Sequence, residues 1–248
     1  WRGRKSPGYR QRWWQRFGLV PNVIGRPLWI HAVSVGETIA VAPLVERMLR
    51  EFPSVPIVMT SMTPTGAERV VALFGSRVQH FYCPYDLPDA VHRFIQRIQP
   101  RGCLIVETEL WPNMIAGCKQ AGVPVIIANA RLSERSAKGY AKLAKLTQTM
   151  LSELTFLVTQ HQSDADRFKQ LGMPVERILV SGSIKFDIEV DDTARLQGKQ
   201  LREQLGDRFT LILASSHEGE EAQLLATVSP LWERYPDLLV MLVPRHPE

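Results

Sequence analysis

The stretch Leu28 to Thr38, LWIHAVSVGET, runs from an apolar segment into a polar turn with a carboxylate at its lip. Glu37 there has two readings, and they do not exclude each other. Ser34-x-x-Glu37 is the spacing of a capping box, in which the serine caps a helix and the glutamate closes the first turn. Alternatively, Gly36 lets a substrate approach the backbone, free amides attract an anion, and Glu37 accepts a proton as a general base. The helix dipole is expected to keep that carboxylate ionised. A second acidic segment, VETELWPN, puts Glu107 and Glu109 on one face at the end of another apolar run. An acid in that position needs a partner or a task. Lys185 in SGSIKFD is the expected partner across a cleft, unless it is an ordinary surface lysine. Two further polar segments close apolar runs. SSHEGEE (215–221) is expected to open a helix with Ser216 as its cap and Glu218, Glu220 and Glu221 in its first turn. VPRHPE (243–248) sets Arg245 and His246 just past a strand, where both suit a phosphate.

These residues depend on a regular alternation along the chain. Strand-like runs fall at 28–35, 56–61, 78–84, 102–108, 123–129, 154–160, 177–183, 209–215 and 238–244. Amphipathic stretches separate them, including a helix expected over 38–52 and a long helix or helix pair over 134–154. Near-continuous apolar strands alternating with helices specify a mainly parallel sheet covered on both faces, a doubly wound Rossmann-like α/β fold. Seven strands to residue 183 complete one such domain. The charged stretch 185–200 reads as a linker and a new helix, after which a second β-α-β unit begins at Phe209. One such unit cannot bury its own sheet. Either it docks on the first domain or it is the start of a second Rossmann-like domain. In a doubly wound sheet ligands bind beyond the carboxyl ends of the strands, where each of these polar segments falls.

The net charge of +5 is unevenly placed. Residues 1–16 hold six basic side chains and no acid, which leaves 24 basic against 25 acidic in the remainder. A nucleic-acid groove would spread positive charge over the fold, so no nucleic-acid partner is expected. The basic residues interleave with Trp1, Tyr9, Trp13, Trp14 and Phe17, a pattern suited to an anionic membrane surface. There is no run of about 18 apolar residues and no initiator Met, and both ends are expected to be truncated. Three scattered cysteines fit buried thiols in a reducing compartment. No G-x-G-x-x-G, Walker loop or H-E-x-x-H is present. Asp164 and Asp166 share D-x-D spacing but lie in a helical pattern, so a mechanism without metal or cofactor is expected.

Eight segments in register, HAVSVGET, TSMTPTG, YCPYDLPDA, ETELWPN, IANARLSERSAKGY, SGSIKFD, SSHEGEE and VPRHPE, resemble the bacterial transferases of 3-deoxy-D-manno-octulosonic acid (Kdo). The resemblance covers residues 1–248. It implies a GT-B fold with a basic juxtamembrane arm (1–20), a complete acceptor-binding domain (21–184), and a linker plus the first part of a CMP-Kdo-binding domain (185–248). It implies inverting, metal-independent transfer of Kdo from CMP-Kdo to lipid IVA at the cytoplasmic face of the inner membrane. By this resemblance Glu37 is the proton acceptor, and Glu107 and Lys185 stabilise the transition state. Arg245 and His246 contact the nucleotide, with Ser216 and His217 facing the donor; Ser34 and Gly36 complete the turn at which substrate binds. The alternatives are another GT-B enzyme with a different sugar nucleotide, and a non-catalytic membrane-surface module that has kept a relic of the site.

Overall fold

The computed structural model describes residues 7–186 and 192–245. The chain divides into two compact units, Trp1–Ile188 and Glu189–Glu248. In the first, strands and helices alternate: β1 (Leu28–His31), α1 (Val35–Glu51), β2 (Ile57–Ser61), α2 (Pro64–Phe74), β3 (Gln79–Tyr82), α3 (Pro88–Ile98), β4 (Gly102–Val106), α4 (Pro112–Gln120), β5 (Val125–Ala130), α5 (Glu134–Ala141), α6 (Ala144–Glu153), β6 (Phe156–Thr159), α7 (Gln162–Gln170) and β7 (Ile178–Val180), with a 3-10 turn at Ile184–Phe186. All seven strands are parallel, in the order β3-β2-β1-β4-β5-β6-β7. The second unit holds α8 (Asp192–Leu205), β8 (Thr210–Ser216), α9 (Glu220–Arg234) and β9 (Leu239–Pro244), with β8 and β9 paired in parallel.

The two-residue period of the strands explains the double winding. Trp29, Val58, Cys103 and Ile105 join Phe94, Met114, Ile115 and Phe168 in one core. Their neighbours Ile30, Ile57, Met59, Leu104 and Val106 join Val41, Val45, Val70 and Phe74 in the other. The central strands β1, β2 and β4 thus bury both faces and need helices on both sides. The three cysteines are buried free thiols. Local signals set the helix starts. Ser34 caps α1, so the helix begins at Val35 and not at residue 38. The Thr63 side chain caps α2, with Pro64 at its first position. Residues 134–154 form a pair of helices, broken at Leu143 (φ −112°, ψ 44°).

The part of the basic arm that is described does not stand clear of the domain. Arg16 is buried, donates to the Met62 carbonyl at 3.0 Å and lies 4.4 Å over the Tyr82 ring. Arg12 covers the same ring at 4.8 Å and donates to the His80 carbonyl at 3.2 Å. The Gln15 side chain accepts from the Tyr82 amide at 3.0 Å. Gly18 is required here: its φ is +76°, and a Cβ would sit 2.2 Å from the Ala90 carbonyl oxygen. Two cations counted on the arm therefore turn inward, held by π-faces and carbonyls. Trp13, Trp14 and Phe17 remain exposed.

Beside the site-bearing end of β1, His31 is fully buried with Nδ1 2.9 Å from the Thr60 hydroxyl, which also accepts from the Trp29 indole at 2.8 Å. Burial lowers the His31 pKa to about 4. A folded value below the unfolded one gives stability that is complete above the unfolded pKa of about 6.5 and is lost as pH falls toward 4. Each tenfold change in proton affinity corresponds to about 1.4 kcal/mol, so the contribution is roughly 3 kcal/mol. Urea unfolding at pH 7 and pH 4 is expected to show a loss of about that size, and His31→Gln should reduce it.

Candidate active site

The strand order reverses between β1 and β4. The chain winds outward from β1 to β3, then returns to the other side of β1 to lay down β4. Beyond the carboxyl ends of two such strands the following connections run apart and leave a crevice. Strand β1 leads there to Ser34, Gly36 and Glu37, and β4 leads there to Glu107, Thr108 and Glu109.

Glu37 is the third residue of α1 and is buried. Ser34 Oγ accepts from the Glu37 amide at 3.4 Å and donates to Oε1 at 3.0 Å. Oε2 accepts from the Val33 amide at 2.6 Å. The capping box is thus present in a shifted form, with the carboxylate reaching the amide before the cap. The dipole is not the only influence on the Glu37 charge. Burial raises its pKa above the ordinary value, more than the bonds from Val33 and Ser34 lower it, and the charges of Glu107 and Glu109 add to the rise. Desolvation of a carboxylate outweighs a dipole effect of about 0.3–1 kcal/mol.

Glu107 does not share a strand face with Glu109, because β4 ends at Val106 and Glu107 takes the left-handed conformation, φ +62°. Its amide still donates to the Ala128 carbonyl at 2.8 Å. The next residue, Thr108, has a hydroxyl that bonds both the carbonyl and the amide of Arg131, tying this loop to the one after β5. The turned carboxylate meets Lys185, Nζ to Oε1 3.0 Å. Lys185 lies in the Ile184–Phe186 turn of the first unit, against α1. The lysine side chain is 54% exposed and the glutamate 34%. An ion pair that open contributes about 0–1 kcal/mol, too little to account for a strained loop by stability alone.

Glu109, Trp111 and Tyr140 were not singled out as site residues from sequence. Burial raises the Glu109 pKa, the Trp111 side chain opposing and the Glu107 charge adding. Tyr140 is raised by burial and by Glu109. The apolar residues after Glu109, Leu110 and Trp111, were the available signal for its burial. Other acids nearby are structural. Asp86 caps α4, accepting from the Asn113 and Met114 amides at 3.1 and 2.8 Å. Asp164 is buried and accepts from the Leu132 amide at 2.9 Å. Among the described residues no cluster of His, Cys, Asp and Glu could hold a metal ion. Cavities of about 420 and 470 Å³, lined by Arg26, Gln99 and Pro100 and by Lys119, Thr155 and Arg177, open at the other strand ends.

In the second unit Ser216, His217 and Arg245 come together. The Arg245 amide donates to the Ser216 carbonyl at 3.2 Å, and its guanidinium lies 3.5 Å from His217 Nε2. Ser216 does not cap the helix. It is the last residue of β8, and its hydroxyl donates to Glu221, while α9 begins four residues later behind Gly219. Glu218 accordingly precedes the first turn, which holds Glu220 and Glu221. A left-handed Ser215, φ +59°, and a register shift between Ala214 and Ser216 end the strand before a helix can start. His246 lies outside the described residues.

Residues 11–188 match the family model for 3-deoxy-D-manno-octulosonic-acid transferase (kdotransferase). The chain belongs to this family. It is 44% identical over 98% of its length to the 3-deoxy-D-manno-octulosonic acid transferase of Haemophilus influenzae, and 34% identical over 94% to that of Bordetella pertussis. It spans 58% and 56% of those two relatives. Among solved structures it is similar to the UDP-GlcNAc 2-epimerases of Neisseria meningitidis (TM-score 0.58, 14% identical, 88% of this chain and 64% of that one) and Methanocaldococcus jannaschii (TM-score 0.55, 12% identical, 88% and 66%). These neighbours place this chain in the GT-B type of α/β fold, of which it covers a part.

Gly36 offers a direct test of the site. It is exposed, and a Cβ there would meet nothing closer than Ser34 Oγ at 3.9 Å, so packing does not require glycine. Gly36→Ala should leave stability unchanged or raise it by up to about 1 kcal/mol in a denaturant titration. If substrate approaches this backbone, the same change should lower transfer activity by about tenfold or more.

Proposed function

We propose that the protein is an inverting, metal-independent glycosyltransferase that moves Kdo from CMP-Kdo to a hydroxyl of lipid IVA at the cytoplasmic face of the inner membrane. The observation that carries this reading is the convergence of Glu37 and the Glu107–Lys185 pair at the sheet's switch point, in a chain of the Kdo transferase family. Glu37 takes the proton of the acceptor hydroxyl as its oxygen attacks the anomeric carbon. The bond from that carbon to the CMP phosphate breaks on the opposite face, and its electron pair leaves with the phosphate. A raised Glu37 pKa suits this role, since a base works best when its pKa lies near the operating pH. Lys185 offsets negative charge on the Kdo carboxylate or the leaving phosphate. Glu107 is the carboxylate that pairs with the lysine. Ser34 and Gly36 shape the turn at which substrate approaches.

In the second unit, Arg245, His217 and Ser216 suit the nucleotide phosphate: a guanidinium, an imidazole and a hydroxyl sit at the carboxyl ends of two parallel strands. His246 is assigned to the same contact by the family resemblance. No organic cofactor takes part, and CMP-Kdo is the donor substrate. The membrane surface as a partner is supported by Trp13, Trp14, Phe17, Tyr85 and Leu87, all exposed. Phe17 joins Trp13 and Tyr85 edge-on at 6.0 and 5.5 Å. Clustered exposed rings favour the bilayer interface, with flanking cations adding to binding on anionic lipid. No helix of the described residues is long and apolar enough to cross a membrane.

The test is Glu37→Gln, assayed for transfer of labelled Kdo from CMP-Kdo to lipid IVA in anionic vesicles, with Tm measured in parallel. Glutamine can accept from Val33 and donate to Ser34, so the cap survives. Transfer is expected to fall by about 100-fold or more, the range for loss of a general base. Because the folded pKa is raised, protonated Glu37 is favoured by folding, and the charge at neutral pH is a cost. Tm should therefore hold or rise. Full transfer with a changed Tm would make Glu37 a cap only.

A further inference from the structure

The clamp that sets Lys185 against Glu107 is not in either residue. Asn129 is the fifth residue of β5, buried, with a left-handed φ of +59°. The β5–β6 register shifts between Ile127 and Ala130, so Asn129 stands in a bulge. Bulges re-aim side chains at strand ends and are common beside active sites. This one aims the Asn129 amide at the Lys185 turn, where Oδ1 accepts from the Ile184 N–H at 3.1 Å. The Asn129 carbonyl accepts from the Gln160 side chain at 3.1 Å, which ties the bulge to the residue just beyond β6. The residue before it, Ala128, supplies the carbonyl that receives the Glu107 amide at 2.8 Å. Adjacent residues of β5 thus hold both members of the ion pair, Glu107 through the Ala128 carbonyl of the regular β4–β5 ladder and Lys185 through the side-chain amide that the bulge aims.

Two features argue that this is more than loop packing. The Ile184 N–H needs an acceptor, so the amide oxygen must face it, and Asn129 Nδ2 is left buried without a partner among the described residues. Native structures keep few such donors, and each needs a reason. Lys185 itself is long and half exposed, and an open ion pair does not immobilise such a chain. The place of Nζ is therefore set by the backbone from which it springs.

We infer that Asn129 is a positioning residue of the Kdo transfer site, holding the Ile184–Phe186 turn so that Lys185 meets Glu107. This rests on the reading of Lys185 given above.

The test compares Asn129→Gly, Asn129→Asp and Lys185→Met in the intact protein. Glycine keeps the left-handed bend and removes the acceptor; aspartate keeps both. In the glycine variant, amide exchange at Ile184 is expected to quicken by about tenfold or more while the strand amides of β4 and β5 stay protected. kcat should fall by about tenfold with KM within about twofold, as expected for a misplaced group that acts in the transition state. Aspartate should restore the protection and most of kcat. Unchanged exchange at Ile184 in the glycine variant would overturn the inference, as would faster exchange with kcat intact while Lys185→Met is inactive. If Lys185→Met also keeps full activity, the assignment of Lys185 falls, and the role of Asn129 falls with it.

Discussion

A parallel sheet buried on both faces is the constraint from which the rest follows. Its strands cannot be joined by tight turns, so each must cross over through a helix, and helices must cover both sides. A chain that winds first one way from β1 and then the other leaves one place where neighbouring connections diverge. Here that place lies beyond β1 and β4, and the segments that follow both strands carry glutamates. The crevice is a by-product of topology, and the chemistry is what the sequence puts at its edge.

At that edge, capping and catalysis draw on the same atoms. Glu37 accepts bonds from Val33 and Ser34, and this holds its carboxylate at the mouth of α1. Those bonds and the dipole favour the ionised form. Burial and two neighbouring glutamates favour the protonated form and prevail. A cap alone would be more stable without that burial. The left-handed backbone of Glu107 has the same character: local strain accepted at a strand end and over-determined by Thr108, Arg131 and Ala128. The second unit repeats the device at Ser215.

The alternation of strands and helices was legible in the sequence because each strand is a short apolar run bounded by polar turns. All nine runs became strands. The Glu107–Lys185 contact was also foreseen, since a strand-end acid needs a cation and few are close to such an end. The boundaries were less legible. Val33 to Val35 looks apolar enough to extend β1, but the hydrogen bond to Ser34 starts a helix instead. Ser216 looked like a cap, yet pairing with β9 keeps it in the strand. The inward turn of Arg12 and Arg16 could not be read, because it depends on Tyr82, Met62 and His80, some 46 to 70 positions away in the chain. Asn129 escaped notice for a related reason: a bulge is a property of two strands, and one sequence segment does not announce it.

The central claim is that the carboxylate at the mouth of α1 receives the acceptor's proton. The most direct measurement is the acid limb of kcat/KM for Kdo transfer, taken for the native protein and for the glutamine variant at position 37. The expected result is a limb set by one group with a pKa above the ordinary 4.5 of a glutamate, absent from the variant, whose residual rate should be flat with pH. A limb that persists unchanged in the variant would contradict it and move the base to Glu109, whose pKa is raised by the same burial.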